Sequence, residues 1–223
     1  TLEAAPATTG LLIVTGGNEI RAGAHRGQAR LAATIADKAF PVFRFDRRGI
    51  GDSEGANGGF AASGPDIAAA IAAFASAAPH VDHILAFGNC DAATALAVYD
   101  GPTPPSALIL SNPWVIGDEA QATPSPQAVR ARYWRKLTNP RALWSFLNSD
   151  LNLGKLGSGL KTAAQRATPL ALADAMRDSL AAYPGPVHLL LASGDRTAQI
   201  FDHAFKSKSY ESLRQSSRIT VHR

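Results

Sequence analysis

Six short runs, apolar along nearly their whole length, constrain this chain more than anything else in it: Leu11 to Thr15, Pro41 to Phe45, His83 to Phe87, Ala107 to Leu110, Val187 to Ala192 and Arg218 to Val221. None alternates cleanly between apolar and polar residues, as a strand with one wet face would. Continuous apolar strands of this length belong to a parallel sheet covered on both faces. Helical stretches fall between the early runs, at Arg26 to Ala39, Gly64 to Ala78 and Ala93 to Asp100. Strand and helix alternating at this spacing imply βαβ units and an α/β fold built on a mostly parallel, doubly wound sheet. With 46% hydrophobic residues over 223 positions, the chain can fill the core such a sheet needs.

The rhythm breaks between Val115 and Tyr183. That region carries Trp134 and Trp144 inside helical-looking sequence, with Pro, Gly and Asn punctuation. Helices are expected over Pro126 to Leu137, Pro140 to Asp150 and Thr162 to Ala182. They form an insert at 115–183, while 1–114 and 184–223 make up the core. The insert begins at a strand's carboxyl end, where open α/β sheets bind ligands, so a helical cap is the expectation.

Several function classes drop out on composition. Twenty-two Lys and Arg against 18 Asp and Glu give a net charge of +4. The basic residues are dispersed, apart from small groups at Arg47-Arg48 and Arg130 to Lys136, so no nucleic-acid partner is expected. A single cysteine excludes an internal disulfide framework and points to a reducing, cytoplasmic setting. No apolar run approaches the ~18 residues of a membrane helix, so membrane insertion is not expected. No His-x-x-x-His or carboxylate–histidine spacing suggests a metal, and no cofactor is expected. The glycines of Arg48-Gly49-Ile50-Gly51-Asp52-Ser53-Glu54-Gly55 miss the G-x-G-x-x-G spacing of a dinucleotide loop.

The single cysteine lies in Gly88-Asn89-Cys90-Asp91-Ala92, between an apolar strand and an alanine-rich helix. Strand, tight turn and helix are the setting of a nucleophile elbow, G-x-Nu-x-G, in which small flanking residues let helix and strand approach closely. Gly88 and Ala92 satisfy that demand, with Ala in place of the second Gly. The bland alternative is a buried cysteine acting as a small hydrophobe. The helix N-terminus after Cys90 is expected to favour its thiolate. Two further segments fit the elbow. Thr15-Gly16-Gly17-Asn18 follows the first strand and could supply an oxyanion-hole N–H from Asn18 or Gly17, beside that of Asp91. Asp195 lies just past a late strand, placed to orient a histidine. Taken singly, a Gly-Gly turn and an Asp after Ser-Gly are ordinary turn elements.

These segments, taken together, resemble the α/β-hydrolases, and more narrowly the exosortase A system-associated hydrolases of type 1. The resemblance is carried by Gly16-Gly17-Asn18-Glu19-Ile20-Arg21 with Gly23-Ala24-His25-Arg26, and by Phe43 to Asp46 through Gly51-Asp52-Ser53-Glu54-Gly55. It continues in Gly88-Asn89-Cys90-Asp91-Ala92-Ala93, Ser111-Asn112-Pro113-Trp114 and Ser193 to Ala198. The resemblance implies a Cys–His–Asp hydrolase, encoded among exopolysaccharide and protein-sorting functions, whose natural substrate is undefined.

Two departures accompany it. Such hydrolases begin with two more strands than are found here, and they carry a histidine and a closing helix after the last strand. Residues are therefore expected to be missing at both ends, with the base beyond Arg223. His222 is a weaker candidate for that base, 27 residues after Asp195 (222 − 195). His25 is a possible substrate contact, and His80, His83, His188 and His203 read as structural. The resulting expectation is an ester or thioester hydrolase acting on a small acyl substrate. Cys90 is its nucleophile, Asp195 its acid, and Asp91 with Gly17 or Asn18 its oxyanion donors. A lactone hydrolase of the dienelactone type, or a non-catalytic binding protein on a degenerate fold, is the alternative.

Overall fold

The computed structural model describes residues 7–115 and 169–223. Its strands are β1 (Thr9–Val14), β2 (Val42–Arg44), β3 (His83–Asn89), β4 (Ala107–Ser111), β5 (Val187–Leu190) and β6 (Ile219–His222). They form one sheet in the order β2-β1-β3-β4-β5-β6, with every neighbouring pair parallel. All six expected strands are present, and because they run one way, all their carboxyl ends share one edge.

The helices are α1 (Gly27–Ala36), α2 (Gly64–Ala77), α3 (Asp91–Ala97), α4 (Pro169–Ala182), α5 (Arg196–Phe205) and α6 (Glu211–Arg214). On one face Leu12, Val14, Ala86, Leu108, Leu110, Val187 and Leu189 meet α2 through Ile67 and Phe74, α3 through Leu96, and α5 through Phe201 and Phe205. Met176 and Leu180 of α4 are fully buried in that same cluster. Helix α1 packs on the opposite face, setting Ala32 and Ile35 against Leu11, Ile13 and Val42. Helices on both faces explain why β1 is apolar throughout: Leu12, Ile13 and Val14 are all fully buried. The edge strand β6 departs from the expectation, alternating half-buried Ile219 and Val221 with exposed Thr220 and His222.

Two helices, α1 and α3, differ from expectation at both ends. Helix α1 is shorter than the expected Arg26 to Ala39, because Arg26 (φ 60°) and Ala39 (φ 64°) lie in the left-handed region, which cannot continue a helix. Helix α3 begins at Asp91, two residues before the expected Ala93, directly on the elbow.

The core spans Thr1–Val115 and Ala173–Arg223 as one compact unit, and Ile116–Leu172 falls in a second. The expected cap helices Pro126 to Leu137 and Pro140 to Asp150 lie outside the described residues, as does the start of Thr162 to Ala182. Among the described residues, no helix is long and apolar enough to cross a membrane.

Candidate active site

Cys90 occupies the junction of β3 and α3, with φ 59° and ψ −125°. A non-glycine residue held there is strained, and such outliers concentrate at functional sites. The strain persists because the neighbours hold Cys90 from both sides. Its N–H donates to the Ser111 carbonyl at 2.9 Å, and its carbonyl accepts the Trp114 N–H at 3.2 Å. Gly88 is needed for close approach: a Cβ there would lie 2.7 Å from the Ala92 carbonyl carbon and 2.8 Å from its oxygen. Gly16 packs as tightly against the elbow, where a Cβ would lie 2.6 Å from the Asn89 carbonyl oxygen.

Burial pushes the half-buried Cys90 thiol above its ordinary pKa. The Asp91 N–H facing the sulfur opposes this, but the Asp91, Asp195 and Glu19 carboxylates push the same way as burial. The expected thiolate-favouring effect of the helix start is thus confined to one N–H and is outweighed. The net direction is upward, towards the protonated thiol.

The turn after β1 lies against the elbow. Gly17 donates its N–H to Asp91 Oδ1 at 2.6 Å. That bond occupies one of the expected oxyanion donors, whereas the Asn18 N–H has no hydrogen-bond partner among the described residues. The Asn18 side chain accepts Asn57 Nδ2 at 2.7 Å.

Asp195 stands on the same sheet edge as Cys90, beyond β5, with only β4 between β3 and β5. Two strand spacings separate the two segments by roughly 10 Å. Asp195 caps α5, accepting the Ala198 N–H at 2.9 Å through Oδ1. Its Oδ2 takes no hydrogen bond among the described residues. Helix and acid are therefore compatible uses of one carboxylate.

The histidines stand apart. No hydrogen bond joins a histidine to Cys90 or Asp195 among the described residues. His222 lies in β6, and its Nε2 pairs with His188 Nδ1 at 3.3 Å with stacked rings. His25 is exposed, in a 3-10 turn at Ala24–Arg26. Among the described residues, no group of three or more His, Cys, Asp or Glu side chains could hold a metal. A recess of about 200 Å³ opens beside the acid loop, lined by Leu191, Ser193, Gln199 and Arg223 among others, and does not include Cys90.

Several residues outside the expected nucleophile, acid and oxyanion set brace the site. Asn112 (φ 45°) donates its N–H to the Leu190 carbonyl and accepts the Ala192 N–H on Oδ1, both at 2.9 Å. Thr94 Oγ1 donates to the Trp114 carbonyl at 2.6 Å. The Asn112-Pro113-Trp114 segment thereby ties the elbow to the strand that carries Asp195. Asn tolerates the left-handed region better than other side chains, which is the one local signal for Asn112. The loop after β2 is organised by Asp46, whose carboxylate accepts the Arg21 and Asp52 N–H groups and pairs with the Arg21 guanidinium.

Solved structures with this architecture come from several hydrolases. The Pyrococcus furiosus esterase Pf2001 superposes with a TM-score of 0.61 at 16% identity, over 97% of this chain and 72% of that one. The chain has the α/β-hydrolase fold. Est1E from Butyrivibrio proteoclasticus, solved with ferulic acid bound, matches with a TM-score of 0.56 at 15% identity over 95% of this chain and 77% of its own. The hydrolase GrgF from Penicillium sp. sh18 matches with a TM-score of 0.57 at 13% identity over 96% and 80%. No protein-family model matches the chain, and neither does any curated sequence.

Proposed function

We propose that this α/β-hydrolase cleaves the ester or thioester bond of a small acyl substrate, with Cys90 as nucleophile. The observation that carries this reading is the strained Cys90 backbone, pinned between β3 and α3 on the edge that also bears Asp195. In the proposed reaction the sulfur bonds to the acyl carbon while an imidazole oriented by Asp195 takes the thiol proton. The carbonyl oxygen becomes an oxyanion held by the Asn18 and Asp91 N–H groups. The imidazolium returns the proton to the departing alkoxide or thiolate. Water then adds to the acyl-thioester, aided by the same imidazole, and releases the acid with Cys90 restored.

An imidazole has a role here because burial and the Asp91, Asp195 and Glu19 carboxylates push the thiol upward, against the thiolate. His222 is engaged with His188, so its pairing does not support it as that base. The similarity of the segments around Cys90 and Asn112 supports a place among the exosortase-associated hydrolases. The similar solved structures, an esterase among them, favour ester cleavage over a purely binding role.

The test is turnover of p-nitrophenyl acetate and an acyl-thioester by the protein and by Cys90→Ala, with intact-mass detection of the acyl-enzyme. Turnover lost in the variant and an acyl adduct on the wild type support the reading. Full turnover in Cys90→Ala overturns it.

A further inference from the structure

Arg47 lies in the loop after β2 with only 3% of its surface exposed, and none of the chemistry above uses it. Its guanidinium reaches into the elbow region. Nη2 donates to the Gly17 carbonyl, and Nη1 donates to Ser63 Oγ at 2.8 Å, which in turn donates to the Gly59 carbonyl at 3.2 Å. Gly17 is therefore gripped on both sides, its N–H by the Asp91 carboxylate and its carbonyl by Arg47.

The consequence follows from peptide geometry. The Gly17–Asn18 peptide is trans, so the Gly17 carbonyl and the Asn18 N–H point in opposite directions in one plane. Drawing that carbonyl inward to a buried guanidinium turns the Asn18 N–H outward. The cation also polarises the peptide it binds, which strengthens the N–H as a donor. The flanking Asp91 bond fixes the preceding peptide, so Gly17 cannot rotate to relax either grip. An exposed glycine at φ 57° would otherwise be the most mobile point of the turn.

We propose that Arg47 is a positioning residue, which with the Asp91 carboxylate locks the Gly17–Asn18 peptide so that the Asn18 N–H faces the developing oxyanion. The proposal rests on the hydrolase reading for its chemistry, but the clamp itself is a property of the loop.

Arg47→Met removes both donors while keeping an unbranched buried stem. Three measurements decide the matter. Ester turnover should fall about 10- to 100-fold in kcat with KM within about twofold, less than the 10²–10³ lost with an oxyanion donor itself. Alkylation of Cys90 by iodoacetamide builds no oxyanion, and its rate should stay within about twofold of wild type. Backbone amide exchange at Gly17 and Glu19, both hydrogen-bonded in this loop, should quicken about tenfold or more. Arg47→Lys, which keeps the charge but not the fork, should fall between the two. Unchanged kcat, unchanged amide exchange, or alkylation falling in step with turnover each overturns the proposal. If Arg47→Met does not fold, Arg47→Lys and Ser63→Ala are read by the same three measurements. A wild type without esterase turnover defeats the hydrolase reading, and the exchange data still decide on the clamp.

Discussion

Cys90 donates its backbone N–H to the Ser111 carbonyl at 2.9 Å, fastening the elbow to the end of the neighbouring strand β4. The bond matters because the residue it holds is out of its comfortable range, at φ 59° and ψ −125°. A non-glycine residue in such a region costs on the order of 1–3 kcal/mol. The sheet therefore stores strain at the one position where the proposed chemistry needs a side chain exposed at the turn.

Replacing that side chain separates strain from chemistry. Cys90→Gly removes the Cβ responsible for the strain and should raise stability by about 1 kcal/mol, net of the entropy of a freer unfolded chain. Cys90→Ala keeps the Cβ and should leave stability nearly unchanged. Both should lose ester turnover. Thermal melts beside turnover assays check this, and a Cys90→Gly protein less stable than Cys90→Ala would show that the backbone there is unstrained.

Asp195→Asn tests the acid. Asn caps a helix as well as Asp does, so the Ala198 N–H keeps an acceptor and α5 should be undisturbed. Turnover should nonetheless fall by on the order of 10³-fold or more, because an amide cannot hold an imidazolium. The same change removes one of the carboxylates that raise the Cys90 thiol. The pH at which iodoacetamide alkylation reaches half its maximum should therefore move down while turnover collapses. A midpoint that stays put would place Asp195 too far from the sulfur for the proposed site.

Much of this arrangement was legible in the sequence. The central strand could be read because it is covered on both faces and so is apolar at successive positions, as at Leu11 to Val14. The elbow could be read because close approach restricts Gly88 and Ala92 to small residues. The braces could not. Arg47 to Gly17 spans 30 residues and Gly17 to Asp91 spans 74. Arginines and aspartates are mostly surface residues, so nothing local distinguishes one that is buried against a turn. Asn112 was visible only as part of a family-like segment, because its two hydrogen bonds, to Leu190 and from Ala192, exist only once β4 and β5 pair.

Close packing at Gly88 gives a sharper mutational expectation than any polar contact. In Gly88→Ala the new methyl would meet the backbone of Ala92 and Ala93 at 2.7 to 2.9 Å, and backbone cannot swing aside as a side chain can. Overpacking of this kind costs about 1–3 kcal/mol or more. For a chain of this size that lowers the melting temperature by roughly 2–12 °C. Helix α3 must also move off β3, so turnover should fall even in the fraction that folds. A Gly88→Ala protein with wild-type melting and activity would mean that helix and strand are less closely apposed at the elbow than described.

Two tyrosines set the alkaline limit of the fold. The Tyr183 hydroxyl donates to the Pro105 carbonyl at 2.7 Å and the Tyr210 hydroxyl to the Ala173 carbonyl at 2.5 Å. Burial pushes both phenols up to about 12. An unfolded tyrosine titrates near 10, so the folded chain holds these protons more tightly. Their contribution to stability is fully present below about pH 10 and is lost as pH rises through about 12. Urea midpoints should thus decline steeply between pH 10 and 12. Tyr210→Phe removes one of the two titrations, so its decline should be shallower than that of the wild type, although the variant starts lower for want of the bond to Ala173. The check is the slope of the urea midpoint against pH for the two proteins. Equal slopes would mean that the Tyr210 phenol ionises in the folded chain as readily as in the unfolded one, and that its hydroxyl is not sealed between α4 and the turn before α6.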